Sequence, residues 1–276
     1  MSFSKIAILG PGLLGGSVGH SAKAADYEVV LWGRKSERVE AARKAGLPAT
    51  TDLAEAVCGA DLVVLAVPVG VMKQLSEQIK GHLEEGALVT DVGSVKSLPH
   101  EVLSGLPFIG SHPMAGSEQT GIEAARADLL TGAACVVTND GSQADREVVK
   151  VVKFWEALGC RVHRMSVADH DRAVARISHL PHAMAVATAE AALKFPADVA
   201  LAAGGFRDTT RVASGDPTMW AEIMMENREA LSLALEDARK EMGEMLDHLA
   251  NSDQKGLEEY LAEVKLRKET SRISNE

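Results

Sequence analysis

The chain has 276 residues, 46% of them hydrophobic and 25% charged, with a formal net charge of −10. This is ordinary for a globular protein of one large or two modest domains, and the acidic balance excludes the basic footprint of a nucleic-acid binder. No apolar run approaches the ~20 residues of a membrane span, and the N-terminus runs straight into a strand with no room for a signal peptide, so a cytoplasmic location is expected. The three cysteines, Cys58, Cys135 and Cys160, have no metal-like spacing. They are expected as buried free thiols in a reducing compartment, with no metal site.

Lys5–Leu9 is a short β-branched run that predicts a buried parallel strand. Gly10-Pro11-Gly12-Leu13-Leu14-Gly15 follows at once, and a helical stretch then reaches Ala25. A G-x-G-x-x-G between a strand and a helix is a dinucleotide cradle. Gly10 allows the tight turn, Gly12 lets the backbone approach a pyrophosphate, and Gly15 lets the helix pack on the strand. The first helical turn, with Leu13 and Leu14, offers free N–H groups and the positive end of its dipole to the phosphates.

The second strand, Glu28–Trp32, ends on Gly33-Arg34-Lys35-Ser36. An NAD-selective site would usually carry Asp or Glu here, to hold the ribose 2′-hydroxyl. Two cations and a hydroxyl attract a 2′-phosphate instead, so NADP is the expected preference, with NAD also admitted. Residues 61–68 predict another buried strand, and Val67-Pro68 ends it where the cofactor should lie. Residues 87–91 predict the next, opening onto Val92-Gly93-Ser94-Val95-Lys96.

Phe108-Ile109 reads as a strand end that leads into 110–118, a stretch read as a Gly- and Pro-rich loop holding His112 and Glu118. A histidine at a strand's carboxyl end in an α/β enzyme is where a general base would stand. The strand ends at Gly10, Pro68, Asp91 and Gly110 are expected on one edge of a parallel sheet, with Ser94 and His112 as neighbours. Strands at 133–138 and 160–163, joined by a helix over about 143–158, are expected to complete that sheet, and the domain to end near Met165.

After Ser166 the strand signals stop, and apolar residues recur at helical spacing. The stripe from Trp220 through Asn227 and Leu231 to Leu249 predicts one last long helix, with the tail from about Lys268 loosely held. The expected fold is α/β: a Rossmann-type parallel sheet domain over 1–165, then an all-α domain over 166–276 that forms a homodimer. Three polar clusters interrupt the helical part: Asp169-His170-Asp171, Ser178-His179-Leu180-Pro181-His182, and residues 204–211 with Asp208 and Arg211. Buried charges need partners, and a cleft between domains needs such charges. Arg211 suits a carboxylate, because its planar fork can bind both oxygens. His170, beside acids at a helix start, also reads as part of a capping network.

These pieces resemble the prephenate and arogenate dehydrogenases of tyrosine biosynthesis, the TyrA family. The resemblance rests on GPGLLGGS at 10–17, DVGSVK at 91–96, GSHPMAGSE at 110–118, HDRAVARISHLPH at 170–182 and GGFRDTTRVASGDPTMW at 204–220. It implies oxidative decarboxylation of a cyclohexadienol, with hydride passing to the nicotinamide and the ring becoming aromatic. It implies that His112 takes the hydroxyl proton and that Ser94 orients His112 and the hydroxyl, beside the cofactor. Arg211 would bind the side-chain carboxylate, His179 and His182 would lie near the ring carboxylate, Glu118 and Asp208 would gate the site, and Trp220 would lie close to it.

Prephenate and arogenate differ as keto against ammonium. Asp169 is the candidate ammonium partner, since the resemblance associates an acid at this place with arogenate; it equally suits a helix cap. With Arg34-Lys35 this favours an NADP-dependent arogenate dehydrogenase, with a prephenate or dual-specificity cyclohexadienyl enzyme as the alternative. The chain leaves no room for an appended regulatory or mutase domain, so any tyrosine feedback is expected at the active site. A β-hydroxyacid dehydrogenase would place a Lys in a Gly-rich interdomain helix; Lys153 and Lys194 do not fit that place. A non-catalytic NADP-binding regulator would not need Ser94, His112 and Arg211 together.

Overall fold

A computed structural model of the chain describes residues 3–116 and 119–271. The chain alternates β1 (Lys5–Leu9), α1 (Leu13–Ala24), β2 (Glu28–Trp32), α2 (Ser36–Lys44), β3 (Ala49–Thr50), α3 (Leu53–Val57), β4 (Leu62–Leu65), α4 (Met72–Ile79), β5 (Leu88–Asp91) and α5 (Ser97–Val102). All five strands are parallel, in the order β3-β2-β1-β4-β5. Ile6, Ile8, Leu62, Val63 and Val64 are fully buried, as expected of strands covered by helices on both faces. The carboxyl ends of β1, β4 and β5 therefore share one edge.

Beyond β5 the structure departs from a single parallel sheet. Phe108 bridges Val89 in parallel, and the chain then enters β6 (Gly110–Pro113). β6 pairs antiparallel with β7 (Ala134–Thr138), and β7 pairs parallel with β8 (Arg161–Met165) across α6 (Asp145–Ala157), which makes a second, three-stranded sheet. The reason lies in the connections. A parallel pair needs a crossover, usually a helix, and α6 supplies one between β7 and β8. Between β6 and β7 the described residues form only short 3₁₀ turns, Ile122–Ala124 and Ala127–Leu130. The expected loop at 110–118 is thus a strand over its first four residues, and His112 sits on that strand.

Helices follow: α7 (Val167–Val174), a π-helical turn (Ala175–His179), α8 (Leu180–Leu193), α9 (Gly204–Thr210), α10 (Pro217–Glu226), α11 (Arg228–Ala250) and α12 (Gln254–Thr270). The change from sheet to helix falls between Met165 and Val167. The expected single long helix is broken at Asn227, whose side chain is drawn into hydrogen bonds described below. The loosely held tail lies mostly outside the described residues; α12 runs to Thr270. The chain divides into two compact units, one ending at Arg228 and one starting at Glu229. In the second, Tyr260 donates from its hydroxyl to Glu241 at 2.9 Å, and His248 and Asp253 meet at 3.0 Å. Cys135 and Cys160 are buried free thiols, whereas Cys58, just past α3, is exposed, against expectation. No helix among the described residues is long and apolar enough to cross a membrane.

Candidate active site

The glycine turn has the shape its sequence demands. Gly10 has φ +122°, a conformation that favours glycine, and a Cβ there would lie 2.1 Å from the Ala66 carbonyl oxygen. A Cβ on Gly15 would lie 1.9 Å from the Gly10 carbonyl oxygen, so helix and turn touch backbone to backbone. Gly12, the N-cap of α1, faces open space, with nothing within 4 Å of a Cβ built on it. The first turn, with Leu13 and Leu14, has no acidic residue and no side-chain cap. Its amides are left for an anion, and these residues fit the pyrophosphate of a dinucleotide. Val67, just past β4, brings its side chain to Gly10, and Pro68 follows it into an exposed turn. Arg34, Lys35 and Ser36 are exposed at the end of β2, with Lys35 as the N-cap of α2.

His112 is held by a layer of buried polar groups. Alternation along β6 sends Ser111 and His112 to opposite faces. Ser111 is pinned: its N–H donates to Asp91 Oδ1 at 2.9 Å, and its hydroxyl accepts from Trp155 Nε1 at 2.8 Å and meets Thr90 Oγ1 at 2.7 Å. Asp91 also accepts from Gly93 N–H at 2.9 Å and pairs with Lys96, both side chains being fully buried. His112, 7% exposed, places Nδ1 2.9 Å from His170 Nε2. His170, fully buried, places Nδ1 2.7 Å from Asp171 Oδ1. Asp171 in turn accepts the backbone N–H groups of Lys96 at 2.8 Å and Ser97 at 2.9 Å, where α5 begins.

The electrostatics follow from this layer. Burial, then the nearby His170, Lys96 and His179, hold His112 well below the ordinary histidine value, against the pull of Asp171. His112 is therefore neutral at neutral pH, as a base must be. Burial alone would raise the Asp171 carboxyl; the hydrogen bonds from His170, Ser97 and Lys96 outweigh it and bring it to about 2. Among the described residues Nε2 of His112 has no hydrogen-bond partner.

The helical part adds a second histidine pair through the π turn. On an unbroken α-helix the nine-residue spacing of His170 and His179 would set them about 180° apart; the one extra residue of a π turn reduces this to about 80°. Both are fully buried. Asn227 breaks the helix after α10 because its amide donates to the Asp171 carbonyl at 2.8 Å and meets His179 Nδ1 at 3.2 Å. His179 Nδ1 accepts that bond, so its Nε2 carries the proton. This Nε2 is buried with no partner among the described residues, as is Nδ1 of His182. Burial lowers His179 to about 4 and lowers His182, so both are neutral. Pro181 does not interrupt the helix but sits in the first turn of α8, where an N–H is dispensable. Trp220 stacks on His182 with centroids 3.6 Å apart and planes 11° apart. His179 meets the Trp220 ring edge-on with centroids 6.3 Å apart, while His182 stacks on it.

The expected residues do not all converge. Ser94 is half-buried in the turn after β5 and makes no hydrogen bond among the described residues, and the hydrogen-bond partner of His112 is His170. Asp169 is exposed in a helix cap: its N–H donates to Ser166 Oγ at 3.1 Å, its carboxylate accepts the Ser166 hydroxyl at 2.6 Å, and it pairs with Arg172 at 2.5 Å. The capping network thus belongs to Asp169, and His170 turns inward. Asp208, in α9, and Arg211, at the following 3₁₀ turn, are exposed. Glu118 lies outside the described residues. Sequence reasoning missed Asp171, Asn227, the Lys96–Asp91 pair and Glu226. Burial and Glu222 raise Glu226 to about 7, and Glu222 accepts the Gly70 N–H at 2.9 Å, which ties α10 to the turn after β4. The adjacency of His170 and Asp171 was the one signal available. No group of His, Cys, Asp and Glu suited to a metal ion occurs among the described residues.

Comparison with known proteins agrees with this arrangement. Residues 19–164 match the family described as prephenate dehydrogenase, nucleotide-binding domain, and residues 166–263 match prephenate dehydrogenase, dimerization domain. The chain is 35% identical to the prephenate dehydrogenase of Lactococcus lactis subsp. cremoris, over 95% of this chain and 75% of that protein. It is 34% identical to the cyclohexadienyl dehydrogenase of Zymomonas mobilis, over 95% of this chain and 94% of that protein. Among solved structures, the prephenate dehydrogenase from A. aeolicus in complex with hydroxyphenyl propionate and NAD+ superposes with a TM-score of 0.88 at 30% identity, covering 98% of this chain and 99% of that one. The arogenate dehydrogenase of Synechocystis gives 0.85 at 29% identity, covering 97% and 99%. The strand-end cradle, the buried histidine layer and these matches lead to one conclusion: the chain belongs to the prephenate/arogenate dehydrogenase family of nicotinamide-dependent oxidoreductases.

Proposed function

We propose that the protein is a cyclohexadienyl dehydrogenase that oxidatively decarboxylates prephenate and arogenate, with NADP preferred over NAD. The observation that carries this reading is His112: neutral, tied at Nδ1 to His170, and with no partner at Nε2 among the described residues. Bound nicotinamide would supply the hydride acceptor. His112 takes the hydroxyl proton as hydride leaves the same carbon. The bond to the ring carboxylate then breaks, its electron pair makes the ring aromatic, and His112 returns the proton to the phenolate oxygen. No proton is released overall, so one histidine serves as base and then as acid.

The other roles follow from chemistry. Neutral His179 and His182 donate to the ring carboxylate without pairing it with a full positive charge, which would oppose its loss as carbon dioxide. Arg211 binds the side-chain carboxylate, Ser94 contacts the hydroxyl and cofactor, Trp220 braces His182, and Glu118 and Asp208 gate the site. Because the Asp169 carboxylate is exposed and already engaged by Ser166 and Arg172, it offers little to distinguish ammonium from keto. This favours dual specificity over strict arogenate use. Exposed Arg34 and Lys35, with no acid at the strand end, favour NADP. The helical part, over 166–276, forms a homodimer; the exposed Leu233, Leu246 and Leu249 of α11 support this. Absorbance of the reduced nicotinamide is followed with each substrate and each cofactor. Turnover of both substrates, faster with NADP, is expected; no turnover of either would overturn the reading.

A further inference from the structure

The geometry points to His170 and Asp171 as positioning residues that lock the tautomer of His112, keeping its Nε2 lone pair free to act as the base. This rests on the proposed role of His112. Ionised Asp171, anchored by the Lys96 and Ser97 amides, can only accept, so His170 presents Nδ1–H to it. With its ring proton on Nδ1, His170 presents Nε2 as an acceptor, and the group facing it at 2.9 Å is Nδ1 of His112. His112 must carry its proton on Nδ1, which leaves Nε2 bare. The direction of every donor in the chain is thus set by two backbone amides at the start of α5, three groups away from the reacting atom. The same chain serves after proton transfer. When His112 holds the proton on Nε2, its Nδ1 proton can shift to His170 Nε2, which places the positive charge against Asp171; the reverse shift restores His112 before the phenolate is protonated. Atoms and charge balance at each stage, and no outside reactant is needed.

Asp171→Asn unlocks the chain. The atom at the Oδ1 position faces both His170 Nδ1 and the Lys96 N–H and can now be the Asn carbonyl or the Asn amide, so His170 is no longer fixed as an Nδ1–H donor and His112 becomes a mixture with the proton on Nε2, where the base should be. The test is nitrogen NMR of histidine-labelled protein without substrate, beside steady-state kinetics. The expected result is Nδ1–H alone on His112 in the parent and a mixture with Nε2–H in Asp171→Asn, with kcat lowered severalfold and KM changed little; a wrong-tautomer histidine costs about 10⁴ in the Ser-His-Asp triad. Should Asp171→Asn fail to fold, His170→Gln and His170→Leu decide. A Gln carbonyl can still accept from His112 Nδ1–H and should keep kcat within about tenfold of the parent, whereas Leu cannot and should lose ~10²-fold. Nε2–H on His112 in the parent, or equal kcat for the Gln and Leu variants, would overturn the inference. Because the NMR result does not depend on turnover, a parent that oxidises neither substrate would sink the proposed function while leaving the tautomer lock to be judged by itself.

Discussion

Replacing Lys96 by Met probes the layer on which His112 rests. Lys96 and Asp91 are both fully buried, and their ion pair lies directly under β6, where Asp91 also accepts the Ser111 and Gly93 N–H groups. Met fills the space of the Lys stem but removes the charge, leaving a carboxylate in the interior with two amides as its polar partners among the described residues. Breaking a buried pair from one side costs about 3–5 kcal/mol, because the remaining charge is uncompensated. At roughly 2–4 °C per kcal/mol for a unit of this size, the melting temperature should fall by about 6–20 °C. Asp91→Asn combined with Lys96→Met should recover at least half of that loss, since the Asn carbonyl can accept an amide without a charge to bury. Differential scanning calorimetry of the parent, both single variants and the double variant measures this. A Lys96→Met protein melting within about 2 °C of the parent, or a double variant no better than the worse single one, would refute the claim that the pair is a coupled, dry support for the strand.

Three further outcomes are expected. Changing both Arg34 and Lys35 to Ser should lower kcat/KM for NADP at least tenfold while leaving NAD nearly unchanged; equal losses for both cofactors would remove the 2′-phosphate role. His179 is held at about 4 against 6.5 for a free histidine, so between those values the unfolded chain binds more protons and stability falls as pH falls. By pH 5 this amounts to about 2 kcal/mol, and the loss between pH 7 and pH 5, read by urea unfolding, should be smaller by that amount in His179→Asn. Asp169→Asn should leave the arogenate-to-prephenate ratio of kcat/KM within about twofold, because its carboxylate is a cap on the surface; a tenfold shift towards prephenate would restore it as the ammonium partner.

The parallel core was legible because its signals are local. Buried β-branched runs place β1 and β2 at the residues where they stand, and the glycine turn is dictated by contacts a Cβ would forbid. The direction of β6 was not legible, since it depends on what connects it to β7, and a run of 3₁₀ turns leaves no periodic pattern. His170 and Asp171 were ambiguous for a related reason. Either Asp169 or His170 suits a helix start, and only the rotation of α7, together with the π turn after it, decides which one faces the core. Asn227 kept the helical spacing of its stripe and still broke the helix, because its side chain finds the Asp171 carbonyl, 56 residues away in sequence. Long-range polar partners carry the site, and sequence spacing is silent about them.

The most direct measurement is kcat of His112→Asn at saturating cofactor and substrate, beside cofactor affinity and the melting curve of the same protein. Loss of a positioned base predicts a fall of ~10²–10⁴ in kcat with the fold and cofactor binding intact. Turnover equal to the parent's would contradict the mechanism at its first step.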